Sequence, residues 1–260
     1  MRNTVTYILL LMMTLCGSAY AQEYIGRAEA LQTVQLHPEV SARITKVHFS
    51  EGSFINEGAI LFTLNPSHFQ AQVQLGKAKL SHAQAALDGA KKYFSRLKAV
   101  GKRSVPGSDI DTAETEAQKA QAEVDEAKAE LRLSQIDLDN TRITAPISGY
   151  IGKAEFTKGS YVTPEDVLAS IVQTDPARIS FAMTDRDFLI HRDTPAEYEL
   201  VLADGSIYPE KAVLDFASNI MDSDTGTITL YLTVPNETHT LIPGAIVRVR
   251  VIYPASGSGE

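Results

Sequence analysis

The chain has 260 residues, room for two or three compact units at roughly 100–150 residues each. Its 24 basic and 32 acidic side chains leave a formal charge of -8, which argues against a phosphate-binding face for nucleic acid. Aromatic residues are sparse at 7%, and without Trp there is no platform on which bases would stack.

The chain opens with a short positive start, Met1-Arg2-Asn3, and an apolar run from Val5 to Leu15. Ser18-Ala19-Tyr20-Ala21 follows with the small-x-small spacing of a cleavage site. This layout predicts a secretory signal peptide over 1–21, because the apolar run is shorter than the about 20 residues a bilayer span needs. The mature chain then starts near Gln22, outside the inner membrane. Cys16 follows Leu15 rather than a small residue, so a lipid anchor there is not expected. With the leader removed no cysteine is left, which leaves neither disulfide nor thiol chemistry.

From Gln22 to Asn65 the texture is that of strands. Val34, Leu36, Val40, Ile44, Val47, Phe49, Ile55, Ile60, Phe62 and Leu64 come mostly at alternate positions, punctuated by Gly52 and Gly58. Residues 22–36 read as a strand leading in, and 37–66 as the first half of a β domain. Pro66 stops the pattern and Ser67 can cap a helix.

A heptad seam begins next. Apolar or small residues fall at Phe69, Val73, Gly76, Leu80, Ala83, Leu87, Ala90, Phe94 and Leu97, in steps of four and three. A break spans Gly101 to Ser108, and the seam restarts through Ile110, Ala113, Ala117, Ala120, Val124, Ala127, Leu131, Ser134 and Leu138. Two such helices joined by one turn predict an antiparallel hairpin over 67–138, and the first would be about 50 Å long. Alanine seams bury little area, so the hairpin needs a base at its root and neighbours along its length. It reads as a device that presents its tip to a partner.

Strand texture resumes over 139–172, the second half of the split β domain. Further strands are predicted at Ile179–Met183, Tyr198–Leu202, Ala212–Phe216, Thr227–Val234 and Ala245–Ile252, with a helical turn over Thr184–Leu189. Their number and spacing suggest a small closed β-barrel over 173–253, followed by a flexible tail over 254–260. The fold class is therefore mostly β with a long coiled-coil hairpin, elongated and multi-domain.

The strands flanking the hairpin resemble each other. Ile44-Thr45-Lys46-Val47-His48-Phe49-Ser50-Glu51-Gly52-Ser53-Phe54 parallels Ile151-Gly152-Lys153-Ala154-Glu155-Phe156-Thr157-Lys158-Gly159-Ser160-Tyr161. Such halves are similar to the paired motifs of a biotinyl/lipoyl domain. Three further marks occur in order. They are Glu51-Gly52 with Gly58, Leu61-Phe62 and Leu64; Thr141, Ile143, Ala145-Pro146, Gly149 and Ile151-Gly152; and His239 to Ala245 with Val247-Arg248-Val249. With the hairpin between the halves, nearly the whole mature chain resembles the HlyD-type membrane fusion protein family, and within it the adaptors of resistance-nodulation-division (RND) efflux pumps. Ala42 departs from the family's usual Gly before the first lipoyl strand.

That resemblance implies a periplasmic adaptor linking an inner-membrane RND transporter to a TolC-like outer-membrane channel, self-associated as a hexamer. It also implies a docking tip. Leu97 and Ser104 keep the family's seven-residue spacing there, while Tyr93 stands where the family has Arg, with Lys102 and Arg103 as tip cations. The family usually continues into a membrane-proximal domain that shares the N-terminal strand. Residues Glu23 to Thr33 are therefore expected to lack part of their partner.

Two other readings share parts of this pattern. An ABC-exporter adaptor would share this architecture. A lipoyl or biotinyl carrier would need a lysine at the turn joining the halves, where the hairpin stands instead; Lys153 and Lys158 lie elsewhere. The six histidines (His37, His48, His68, His82, His191 and His239) lack metal-ligand spacing, and Asp222 and Asp224 belong to a polar turn. No catalytic, cofactor or metal site is expected.

Overall fold

The computed structural model describes residues 20–100, 106–192 and 194–253. In chain order the elements are β1 (Tyr20–Glu29), β2 (Gln32–Leu36), β3 (Ala42–Val47), β4 (Phe54–Ile55), β5 (Ile60–Leu64), α1 (Ser67–Val100), α2 (Gly107–Asp139), β6 (Arg142–Thr144), β7 (Gly149–Ile151), β8 (Tyr161–Val162), β9 (Ala169–Gln173), β10 (Ala177–Thr184), α3 (Asp185–His191), β11 (Glu197–Val201), β12 (Val213–Asp222), β13 (Thr227–Val234) and β14 (Ile246–Tyr253). They divide into two compact units. One holds the described residues up to Val34, with Ser148–Tyr150 and those from Ile171 on; the other holds Gln35–Ile147 and Ile151–Ser170.

The first unit is a six-stranded sheet in the order β11-β14-β1-β10-β13-β12. Strict alternation along β13 turns Ile228, Leu230, Leu232 and Val234 inward, where they meet Ile179, Phe181, Val249 and Val251. The two edge strands come together through a bridge between Tyr198 and Ala212, and Tyr208 donates its amide to Leu200 O at 2.8 Å. The sheet thus curls into the small barrel. Thr184 caps α3 by accepting from the Asp187 amide at 3.2 Å, and Phe188 of α3 packs against the core.

Over residues 23–29 the structure departs from the expectation that Glu23 to Thr33 lack part of their partner. β1 lies inside the sheet, paired with β14 from Tyr20↔Tyr253 to Arg27↔Ile246 and with β10 from Gly26↔Phe181 to Glu29↔Arg178. Inward-facing Tyr24, Gly26 and Ala28 make the fit possible, and a Cβ on Gly26 would stand 2.9 Å from Val249 Cγ2. The barrel therefore takes a strand from outside 173–253. Tyr20 and Ala21, read above as the end of the leader, belong to the same strand.

Two four-stranded sheets, β2-β9-β7-β4 and β6-β5-β3-β8, carry the split β domain. Ile44, Leu61, Phe62, Leu64, Ile151, Val162 and Leu168 are among its buried side chains. The internal repeat has a reciprocal geometry: Gly52 donates its amide to Ile151 O at 2.9 Å, and Gly159 donates to Ile44 O at 2.8 Å. Both glycines sit at positive φ, 75° and 99°, a conformation other residues adopt at a cost. The same tight turn is therefore built twice.

Candidate partner-docking site at the hairpin tip

The hairpin rises from the split domain on a proline stop, and the Asn65 side chain accepts from the Ser67 amide at 3.1 Å. Every buried residue of the two helices lies on the heptad seam: Val73, Gly76, Ala83 and Leu87 on α1, and Ala113, Ala117, Ala120, Val124 and Ala127 on α2. Polar pairs cross the seam's edges. Lys79 Nζ lies 2.7 Å from Glu130 Oε2, and Lys91 Nζ donates to Gln121 Oε1 at 3.2 Å. These exposed contacts set register more than they add stability.

Towards the tip the seam widens into larger side chains. Tyr93 is 51% exposed, with the Arg96 guanidinium 6.0 Å from its ring centre, and Val100 is 60% exposed. Phe94 is half-buried beneath the Lys98 ammonium, 5.6 Å from its ring centre. Leu97 is half-buried on the seam itself, one helical turn on from Tyr93. Lys98, in the last turn of α1, and Asp109, in the first turn of α2, both suit the helix dipoles. The described end of the hairpin is thus an aromatic and aliphatic knob carrying cations.

Of the residues picked from the sequence, Tyr93 and Leu97 share one face of α1, while Lys102, Arg103 and Ser104 lie outside the described residues. Phe94 and Val100 were not picked. Phe94 was visible as a seam position, but nothing in the pattern marked Val100 as exposed. Further down, the Glu116 carboxylate holds Lys119 above its ordinary ammonium value from 2.9 Å away.

The first unit has a cleft of about 450 Å³ beside α3, lined by Phe188, His191, Tyr198, Leu230 and Tyr253 among others. His191 stacks on Tyr253 at 3.8 Å, and Lys211 is spent on Glu197 at 2.7 Å. Among the described residues no group of three His, Cys, Asp or Glu could hold a metal ion, and no helix is long and apolar enough to cross a membrane.

Comparison with known proteins places these features. Residues 32–174 match the family model described as RND MFP, barrel-sandwich hybrid domain, and residues 164–253 match RND MFPs, beta-barrel domain. The multidrug efflux pump subunit AcrA of Escherichia coli K12 is 35% identical over 243 residues, 88% of this chain and 61% of AcrA. The membrane fusion protein MtrC of Neisseria gonorrhoeae is 35% identical over 245 residues, 89% of this chain and 60% of MtrC. The chain thus spans about three fifths of the length of these relatives. Among solved structures, the membrane fusion protein Spr0693 of Streptococcus pneumoniae R6 superposes with a TM-score of 0.68 at 14% identity, covering 91% of this chain and all of that one. A MacA-MexA chimera carrying the Pseudomonas aeruginosa MexA α-hairpin gives 0.64 at 20% identity, over 90% of this chain and 81% of the chimera. These structural likenesses speak for the fold.

Proposed function

This chain belongs to the RND membrane fusion proteins, and from that premise we propose that it is the periplasmic adaptor of a tripartite efflux pump. It joins an inner-membrane RND transporter to a TolC-like outer-membrane channel, with several copies side by side around one conduit. The signal-like leader at the N-terminus supports export to the periplasm. The work is bridging and sealing; the transporter selects what is exported.

One observation carries this reading. A two-helix hairpin, with a seam too rich in alanine to hold firmly by itself, ends in exposed Tyr93 and half-buried Leu97. Such a hairpin is suited to reach and to present a tip, and a partner's surface supplies the burial its own seam lacks. The barrel is the part this reading gives to the transporter.

The test is crosslinking in living cells from a Ser104→Cys variant, in a mature chain with no other thiol. A crosslink to an outer-membrane channel protein, lost when Leu97→Asp is added, is the expected result. Absence of any such crosslink from correctly exported protein would refute the bridging role of the tip.

A further inference from the structure

The six-stranded sheet closes where the chain of β11 meets the approach to β12. The bridge between Tyr198 and Ala212 marks the place, with the Ala212 amide reaching Tyr198 O at 3.4 Å. Past the bridge, residues of both chains line one cleft. Pro195 and Ala196 come from before β11 and Val213 and Leu214 from β12, with Phe188 and His191 of α3 beside them. At about 450 Å³ the cleft falls within the about 300–1,000 Å³ of small-molecule sites.

Its floor is apolar and aromatic. Met183, Leu230 and Tyr253 belong to the buried core, so the cleft ends on the interior of the barrel. The His191 ring stacks on Tyr253 at 3.8 Å with 18° between the planes, and Phe188 and Tyr198 are half-buried. Flat faces of this kind favour a flat ring system over a bare alkyl chain. The rim, by contrast, is rich in donors. Burial pushes the Tyr198 phenol above its ordinary value, so it stays protonated and can donate. Lys211 is paired with Glu197, yet its side chain is 74% exposed, and an ammonium bonded once keeps two of its three donors. The Arg192 guanidinium lines the same cleft. Among the described lining residues two cations thus stand against the one carboxylate of Glu197.

We propose that this cleft binds a small aromatic organic acid. The ring system lies among Phe188, Tyr198 and Tyr253, and the acidic group takes hydrogen bonds from Lys211 and Arg192 at the rim. A molecule seated there touches both chains that meet at the bridge, so it holds the edges of the sheet together and stabilises the closed barrel. The site is built from residues of the first unit alone. It does not depend on the bridging role of the hairpin tip, and its failure leaves that reading untouched.

The test is a fluorescence titration of the full exported chain with two probes that share one ring system. Anilinonaphthalene sulfonate carries an acidic group, and phenylnaphthylamine lacks it. The expected result is one saturable site per chain for the sulfonate, with the neutral amine bound roughly tenfold more weakly. Lys211→Glu lowers the affinity for the sulfonate about tenfold and leaves that for the amine within about twofold. Leu214 is 41% exposed in the wall of the cleft, so Leu214→Trp has room to fill it and removes binding of both probes. Should that variant fail to fold, Lys211→Glu decides alone. Equal binding of the two probes, a sulfonate affinity untouched by Lys211→Glu, or no saturable site overturns the proposal. A folded Leu214→Trp variant that still binds both probes overturns it too, because binding then lies elsewhere. Competitors test the ligand class: naphthoate displaces the sulfonate probe and dodecanoate does not. Displacement by dodecanoate as strong as by naphthoate sinks the aromatic assignment.

Discussion

Asn236 and Leu241 hold each other through a reciprocal pair of hydrogen bonds. The Asn236 side-chain amide donates to Leu241 O at 2.9 Å, and the Leu241 amide returns a bond to Asn236 Oδ1 at 3.0 Å. The same Asn236 Nδ2 also reaches Thr174 O at 2.9 Å, while its backbone amide donates to Asp175 Oδ1 at 2.8 Å. Asn236 is fully buried, so this one side chain ties the loop after β13 to the approach to β10 without help from solvent. Asn236→Leu would keep the volume and strand Leu241 N, Leu241 O and Thr174 O. We expect a loss of about 2–4 kcal/mol, read as a lower urea midpoint with unchanged slope. An unshifted midpoint would show that the loop satisfies itself by another route.

At Gly76 the two long helices approach closely. A side chain there meets the Leu131 backbone at 3.2 Å as well as its Cδ1 at 3.2 Å, and backbone cannot rotate away. Gly76→Val should push α1 from α2 and cost about 1–3 kcal/mol by overpacking, a difference thermal unfolding followed by helical circular dichroism can resolve. A Gly76→Val variant as stable as the parent would mean the helices slide at this level.

Gly89 is the opposite case on the same helix. Nothing lies within 4 Å of a Cβ built there, and its backbone is helical. Gly89→Ala removes the entropy cost of glycine without a clash, so it should stabilise the hairpin by about 0.5–1 kcal/mol in the same unfolding experiment. Destabilisation would show that something outside one copy approaches this position.

On the barrel's outer face the Arg250 guanidinium, 2.9 Å from Glu23, holds that carboxyl below the usual carboxylate range, with Arg248 assisting. A depressed value in the folded state means the contribution is present above the unfolded value and lost as pH falls through the folded one. Glu23→Gln should therefore lower the melting temperature at neutral pH and leave it unchanged in strong acid, and added salt should shrink the difference. An equal difference at both pH values would assign the effect to packing.

How much of this was legible beforehand differs from element to element. The hairpin was readable because a heptad pattern is local: Val73, Gly76, Leu87 and Val124 announce the seam by spacing alone, and those positions are the buried ones. The repeated turn was readable for the same reason, since Gly52 and Gly159 sit at matching places in matching segments. β12 was only partly readable. Ala212–Phe216 showed strand texture, yet the strand begins at Val213 and runs to Asp222, with Val213, Ile220 and Met221 exposed, so no alternation marked its length. Near the tip, spacing marked Leu97 as a seam position but could not tell that Val100 is exposed, because exposure depends on where the second helix begins.

What the sequence determined by itself, then, is whatever repeats at short range: the split β domain, the two-helix seam between its halves, and the alternating strands of a barrel. What only the tertiary structure decided is who pairs with whom across long separations. β1 reads as a strand short of part of its partner until it is found between β14 and β10, more than 140 residues away in sequence. Asn236 reads as an ordinary loop residue until it is found buried among carbonyls that need it. The reason is physical: periodicity records which face of an element is apolar, but hydrogen-bond partners and inward-facing small residues such as Gly26 act only once two distant segments have met.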